Sequence, residues 1–319
     1  MKASVIIPTK NAGRQFENVL RAVLSQQTPW EFDVLVVDSG STDGTVEFVK
    51  ATAGVCLHEI PSADFGHGKT RNLAIELTAG EFVAVITHDA LPVNDRWLVE
   101  MVAATEQSDN IAGVFGRHLA YEHDGPFMER DLRVHFDGFM DWPAVMSLED
   151  PDRYSADAGY RQLLHFFSDN NACLRRSVWE QIPYPDVDFA EDQLWAKQVI
   201  EAGYAKAYAN KAVVFHSHTY GFINVFRRSF EEARALNRLF GYQLCPTVAQ
   251  MLGQSAKTIW ADFRYFFAAK IPLTEIIWLL RVPLRNIAKQ VGYYLGQRHQ
   301  RLPECMVARI SIDKSLQRK

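Results

Sequence analysis

Four short β-branched runs, each followed by a loop and most by a helical periodicity, occupy the first 86 residues, and this rhythm constrains the fold more than any other feature. Residues 4–7 read as a buried strand, and 32–37, 55–60 and 81–86 as three further strands. After the first, Phe16, Val19, Leu20, Val23 and Leu24 fall at i, i+3, i+4, i+7 and i+8, one apolar helix stripe, and further helices are expected near 43–51 and 69–79. Short strands alternating with helices predict a parallel sheet covered on both faces, with ligands at the carboxyl ends of the strands. From 116 to 168 the pattern is irregular; 190–202 reads as a helix, 212–215 as a strand, and the chain beyond Phe226 as largely helical.

The 319 residues suffice for one large α/β domain with an appendage. At 48% hydrophobic, 23% charged and 12% aromatic, the chain is not disordered, collagen-like or a disulfide scaffold. Cys56, Cys173, Cys245 and Cys305 form no CxxC pair, which argues against a zinc ribbon and fits a reducing compartment. The first apolar run is too short for a signal peptide and no window spans a bilayer, so a cytoplasmic location is expected. Charge is uneven: residues 257–319 carry 12 Lys and Arg against 4 Asp and Glu, while residues 1–256 carry 22 against 34. That basic tail interleaves Trp260, Phe263, Phe267, Ile276 and Trp278 with Arg264, Lys270, Arg281, Arg285 and Lys289, which suits either an interfacial helix on anionic lipid or a helical subdomain packed on the core or on a second subunit. An acidic body without a nucleic-acid motif speaks against nucleic-acid binding.

The loops leaving the strands hold the chemistry. The first run leads into Pro8-Thr9-Lys10-Asn11-Ala12-Gly13, the second into Asp38-Ser39-Gly40-Ser41-Thr42-Asp43. A carboxylate leaving a buried strand can accept from the imide N–H of uracil or thymine, and Asp43 suits a helix N-cap. The fourth run ends in Thr87-His88-Asp89, where a carboxylate can hold a divalent cation bridging phosphates. Glu191 and Asp192 open a later helix, and His216 and His218, two apart, are expected on one strand face. Each has an ordinary reading too: acids favour helix N-termini, and paired histidines at a strand end are often structural. Residues 63–70 resemble a Walker A loop with Ala63 in place of the first glycine. A degenerate P-loop protein would leave Asp38, the 191/192 pair and the histidines unexplained.

Taken in order, IPTKNAG, VVDSGSTDGT, HGKTRNLA, AGEF, THDALP, FFSDNNACLRR and AEDQLWAKQVIEAGY closely resemble family 2 inverting glycosyltransferases. The HG-x-TRN, DALP, AEDQ and HSH segments are most similar to bacterial rhamnosyltransferases of polysaccharide assembly. The resemblance covers about residues 3 to 235 and implies an α/β chain of the GT-A fold, with a Rossmann-like mixed, mainly parallel sheet flanked by helices. A nucleotide-sugar- and acceptor-binding catalytic domain would span 1–235, and a helical, basic and aromatic C-terminal region 236–319.

The resemblance implies donor binding by Thr9, Asn11, Asp38, Ser41, Lys69, Arg71, His88 and Asp89, with Lys69 and Arg71 facing base, ribose or diphosphate. Asp192 would be the catalytic base beside Glu191, and Asp89 the surviving acid of a DxD-type metal motif. His216, or else His218, would add a ligand for Mg²⁺ or Mn²⁺; Thr87 and His88 leave this motif one carboxylate short. In a single displacement one carboxylate takes the acceptor's proton, while a cation and basic side chains neutralise the leaving diphosphate. The expected reaction is transfer of rhamnose from a dTDP-sugar donor to an oligosaccharide or lipid-linked saccharide, with peripheral membrane contact or a homo-oligomer formed through the tail. A catalytically silent sugar-nucleotide or glycan-binding protein of the same fold is the alternative, and it has no need of both Asp89 and Asp192.

Overall fold

The computed structural model describes residues 1–312. Nine strands form one mixed sheet: β1 (Ala3–Thr9), β2 (Phe32–Asp38), β3 (Cys56–Glu59), β4 (Phe82–Ile86), β5 (Leu91–Pro92), β6 (Ile111–Leu119), β7 (Val145–Met146), β8 (Asn171–Arg175) and β9 (Ala205–Phe215). Their order is β3-β2-β1-β4-β8-β6-β9-β5, with β7 also paired to β9. Pairing is parallel through β3-β2-β1-β4 and between β6 and β9, whereas β8 is inserted antiparallel between β4 and β6.

Apart from the edge strand β3, whose residues stay half-buried or exposed, the sheet is largely buried on both faces, as crossover-built sheets are. Val5, Ile7, Val34 and Val36 point to one core, with Phe16, Val19, Leu20 and Val23 of the helix Gly13–Leu24 and with Trp97. Ile6, Leu35, Val37, Val83 and Val85 point to the other, with Phe115, Trp195 and Val199.

The stretch that reads as irregular holds the end of β6, then β7 and the helices Pro126–Asp137, Pro151–Ala156 and Ala158–His165; β8 follows, and β9 starts seven residues before the expected 212. These elements carry polar residues that stay buried because the fold supplies partners. Asn171 accepts from Trp97 Nε1 at 2.7 Å and donates to the carbonyls of Arg117 and Ala212. Arg175 donates to the carbonyls of Thr105, Ser108 and Ile111. On β9, fully buried Lys206 donates to the carbonyls of Leu163 and Phe166 at the end of the helix Ala158–His165. Burial pushes its pKa well below the usual lysine range.

The chain divides into two compact units. One comprises Met1–Tyr121, Asp131–Val187 and Glu191–Ser217; the other comprises Glu122–Arg130, Asp188–Ala190 and the chain from His218 onward. The main break falls before the expected 235/236 because the helix Phe222–Phe240 packs along the helix Ile276–Gly296 within the second unit. That approach is close enough for Gly292 and Gly296 to face the main chain at Phe226 and Phe230, where any Cβ would collide. The helix Val248–Ala268 completes this unit through an Arg130–Asp262 ion pair at 2.6 Å and an Asn286–Asp262 hydrogen bond at 2.8 Å. Residues 313–319, the end of the basic tail, lie outside the described residues.

Candidate active site

Strand register decides which loops meet. Thr9 of β1 lies opposite Asp38 of β2, Ile86 of β4 opposite Asn171 of β8, and Phe215 of β9 opposite both Leu119 of β6 and Leu91 of β5. The antiparallel β8 therefore contributes its beginning where its neighbours contribute their ends. One edge of the sheet collects Thr9, Asp38, the Thr87-His88-Asp89 turn, Asp169 just ahead of β8, and His216 just beyond β9. This is the edge at which open α/β sheets bind ligands.

Asp38 organises the first part of this edge. Its Oδ1 accepts from the N–H groups of Gly40 (2.9 Å) and Ser41 (2.8 Å), and its Oδ2 from the hydroxyls of Thr9 (3.0 Å) and Ser41 (2.5 Å). Ser41 Oγ in turn accepts from the N–H of Asn11, and Asn11 Oδ1 from the N–H of Thr42. Asn11 adopts the left-handed conformation (φ 46°) that this reciprocal pairing demands. Asp43 accepts from the N–H groups of Gly13 and Thr45 and from the Thr45 hydroxyl. The Thr45 hydroxyl and those N–H groups hold its pKa below the usual carboxylate range. The two loops thus fold on each other. All four acceptor positions of the buried Asp38 are engaged by its own chain, so a base could reach its carboxylate only by replacing a hydroxyl.

At the middle of the edge, Asp89 Oδ1 lies 3.5 Å from His216 Nε2. Both are held through the main chain: the Asp89 carbonyl accepts from the Tyr121 hydroxyl at 3.0 Å, and the His216 N–H donates to the Leu119 carbonyl at 2.9 Å. His118, buried on β6, meets the His216 ring edge-on at 5.3 Å between centroids. Burial, then the neighbouring His216 and His135, push its pKa well below the usual histidine range, so it stays neutral. Thr87 Oγ1 and His118 Nε2 are buried without a hydrogen-bond partner among the described residues. An oxygen and an imidazole donor beside orphaned polar atoms fit a cation of the Mg²⁺ or Mn²⁺ kind, imidazole favouring Mn²⁺. Both histidines lie past the end of β9, so strand alternation does not set their common face as expected; His218 begins the second unit. His88 is half-buried in the same turn as Asp89.

The third part is an acid cluster. The helix Glu191–Glu201 starts directly after Ala190, whose left-handed backbone (φ 59°) is strained for a residue with a Cβ. Buried Glu191 forms an ion pair with Arg71 Nη1, and buried Asp169 lies 3.3 Å from Arg71 Nε. Asp169 Oδ1 accepts from the Tyr184 hydroxyl at 2.6 Å. Half-buried Asp192 accepts from its own helix at the N–H of Gln193 (2.7 Å) and from the N–H of Asp169 (3.3 Å). Three carboxyls share one guanidinium. Burial raises the Asp192 pKa well above the usual carboxylate range, and the charges of Glu191 and Asp169 push it the same way. Burial likewise raises Asp169, to about 6, against the opposing pull of Arg71. Arg71 is disfavoured by burial but more than compensated by Asp169 and Glu191, and stays charged.

The segment resembling a Walker A loop serves this cluster. Gly68, on the first turn of the helix His67–Glu76, lies so close to the Pro185 carbonyl that no Cβ fits. Two residues past Lys69 and Thr70, the Asn72 side chain exchanges hydrogen bonds with the main chain of Tyr184 and accepts from Trp179 Nε1. Arg71 is thereby delivered to the acids, where a face toward base or diphosphate was expected. Lys69 remains exposed, lining a pocket of about 500 Å³ with Ile60 and Asp186.

Sequence reasoning missed Asp169 and Tyr184 as site residues. Asp169 stands in the FFSDNN segment, and its signal was a polar turn leading into a run of buried residues.

Comparison with known proteins agrees with this architecture. The profile described as Glycosyl transferase family 2 matches residues 4–182, more than half of the chain. The chain belongs to that family. It is an inverting glycosyltransferase. It is 32% identical to the O-antigen chain rhamnosyltransferase RfbN of Salmonella typhimurium over 99% of this chain and 96% of that one. It is 29% identical to the O-antigen chain rhamnosyltransferase WbaN of Salmonella anatum over 98% and 94%. Among solved structures, the mannosyltransferase PcManGT of Pyrobaculum calidifontis, in complex with GDP-Man and Mn²⁺, superposes with a TM-score of 0.58 at 18% identity, over 94% of this chain and 86% of that one. TarS of S. aureus gives 0.52 at 20% over 94% and 91%. These likenesses place the fold of this glycosyltransferase among the GT-A enzymes.

Proposed function

We propose that this glycosyltransferase moves rhamnose from dTDP-rhamnose, with inversion, onto a saccharide of a bacterial surface polysaccharide or its lipid-linked precursor. The observation that carries the reading is Asp192, a carboxylate fixed by two N–H groups and made more basic by burial and then by its acidic neighbours. The similarity to two rhamnosyltransferases over nearly the whole chain supports the sugar.

In this reading the acceptor hydroxyl loses its proton to Asp192 as its oxygen forms a bond to the anomeric carbon. The bond from that carbon to the diphosphate oxygen breaks on the opposite face, and its electron pair leaves with the nucleoside diphosphate. Glu191 and Asp169, held by Arg71 and Tyr184, keep Asp192 basic and in place. Thr9, Asn11, Asp38 and Ser41 shape the loop that receives the nucleoside, with Lys69 and His88 as its polar flank. Asp89 and His216, with His218 two positions further along the chain, would hold a divalent cation. When bound, such an ion neutralises charge on the departing diphosphate.

The second unit supports a peripheral membrane position. Among the described residues no helix is long and apolar enough to cross a membrane. The helix Val248–Ala268 nevertheless exposes Leu252 (61%), Trp260 (62%), Phe263 and Phe267 (63%), and the helix Ile276–Gly296 exposes Ile276, Leu280 (66%), Leu284 (59%) and Ile287. Each set follows helical spacing, and Lys257, Arg264, Arg281 and Lys289 are exposed on the same two helices. Each basic residue near an anionic surface contributes about 1 kcal/mol.

A donor screen tests the reading. Nucleotide release and sugar transfer with dTDP-rhamnose should exceed those with UDP- and GDP-sugars. Faster turnover of another donor overturns the rhamnose assignment, and binding without turnover of any donor would make the chain a silent binding protein.

A further inference from the structure

The chain leaves the first compact unit after Val187, spends Asp188, Phe189 and Ala190 in the second, and returns at Glu191. What holds this brief excursion is apolar. Ala190 is buried with Leu236 and Tyr242, and Phe189, Leu239, Phe240 and Leu244 pack around them. The receiving surface is itself fixed. Left-handed Gly241 (φ 71°) ends the helix Phe222–Phe240 and turns Tyr242 back, so that the Tyr242 N–H donates to the Leu236 carbonyl at 3.3 Å. The Tyr242 carbonyl accepts from Asn237 Nδ2 at 3.1 Å, and its ring stacks on Phe240 at 5.3 Å between centroids.

Directly after this anchor the chain delivers Glu191 to Arg71 and Asp192 to the N–H of Asp169. The left-handed turn at Ala190 makes the change of direction, and a glycine would adopt it without strain. The methyl that strains the turn is the one that Leu236 and Tyr242 cover. A strained residue of this kind persists only where its surroundings over-determine it. Here the main chain is gripped on both sides, by an apolar cluster up to the turn and by an ion pair and a main-chain hydrogen bond beyond it. Freedom at the turn would pass to Asp192, two positions on, and misplacing a reacting group by about 1 Å costs about 10²-fold in rate.

We propose that Ala190 is a positioning residue for the transfer reaction: its methyl, held by Leu236 and Tyr242, locks the left-handed turn that fixes where the Asp192 carboxylate stands. This role rests on the reading of Asp192 as the base. It extends to Tyr242, which acts on the reaction only through Ala190.

The test is Ala190→Gly in the full chain, which removes the methyl and relieves the strain, so the thermal transition should stay in place or rise. With the donor that the screen turns over fastest, kcat should nevertheless fall at least about tenfold, and KM for that donor should stay within about twofold of wild type. The acidic limb of the kcat profile should also move to lower pH. Burial, then Glu191 and Asp169, raise the Asp192 pKa against the pull of Arg71, and a carboxylate free to drift loses that lift. Tyr184, its own pKa raised by burial, stays protonated beside them and adds no charge. Tyr242→Ala should reproduce the loss of kcat, and Tyr242→Phe, which keeps the ring, should not. A smaller loss in Ala190→Gly, or an acidic limb that stays where it is in wild type, overturns the proposal, as does full activity in Tyr242→Ala. Asp192→Asn reads the parent assignment separately: if that variant is active the base itself is wrong, whereas an inactive Asp192→Asn beside a fully active Ala190→Gly removes only the positioning role.

Discussion

Asp38 at the end of β2 and Asp192 on the helix turn that meets Asp169 stand in opposite surroundings. Around Asp38 two main-chain N–H groups and two hydroxyls meet a single carboxylate, and every acceptor position is filled by the chain itself. Around Asp192 the ratio is inverted: Asp192, Asp169 and Glu191 crowd one guanidinium, and burial, reinforced by the neighbouring carboxylates, raises the proton affinity of Asp192 and Asp169. A carboxylate with surplus donors builds a loop, and one with too few becomes a base.

The sharpest way to break this contrast is Asp192→Asn, which keeps the shape and removes the base. Transfer should fall by roughly 10²–10⁴, while calorimetry with the nucleoside diphosphate finds affinity near wild type. A variant retaining more than about a tenth of the activity would exclude Asp192.

Next comes Arg71→Met, which leaves two buried acids without a counter-charge. Chemical denaturation should show a loss of about 3–5 kcal/mol, partly recovered when Glu191→Gln is added. A loss under about 1 kcal/mol would mean that the cluster does not depend on its guanidinium.

The two regions should also respond to pH with opposite sign. Asp169 has a pKa of about 6 in the folded chain, above its ordinary 3.8. Its contribution to stability is therefore full below about pH 4 and lost as pH rises through about 6. Asp43 has a lowered pKa, so its contribution is present above the ordinary carboxylate range and lost as pH falls into that range and below. Stability measured from pH 4 to 7 should decline less through pH 6 in Asp169→Asn, where Asp192 keeps its own raised pKa, than in Asp43→Asn; an unchanged profile in the first variant refutes the assignment.

The smallest effect belongs to Asp38→Asn, because the hydroxyls of Thr9 and Ser41 can turn to other acceptors. A stability loss of about 1–3 kcal/mol is expected, with weaker donor binding by calorimetry as the loop loosens. Donor affinity unchanged at full stability would show that Asp38 neither builds the loop nor meets the base.

How much of this was legible in the sequence follows from the same distinction. β1, β2 and β4 announced themselves because their residues are apolar on both faces. β6 and β8 did not, because Arg117, His118, Asn171 and Arg175 read as surface residues until their partners, distant in the chain, are known. The strand ends showed Asp38, Asp89 and His216, and the start of the helix Glu191–Glu201 showed Asp192, as chemically placed residues. The role of Arg71 was hidden, since its partners lie 98 and 120 positions away and only the turn of Asn72 onto Tyr184 brings them within reach.

The antiparallel insertion of β8 also bears on how the chain is made. The first 86 residues contain a complete parallel half-sheet, β3-β2-β1-β4, whose outer strand β4 has no partner until Asn171–Arg175 arrives. About 85 residues separate the two, which at roughly 5–20 residues per second is about 4–17 s of synthesis with a hydrophobic edge open on the nascent chain. During that interval β6 emerges earlier than β8, and its rightful place is one strand further out. Two of the polar residues that disguise these strands thereby acquire a second use: Arg175 of β8 donates to the carbonyls of Thr105, Ser108 and Ile111, and Asn171 to that of Arg117, contacts that favour β8 at the open edge.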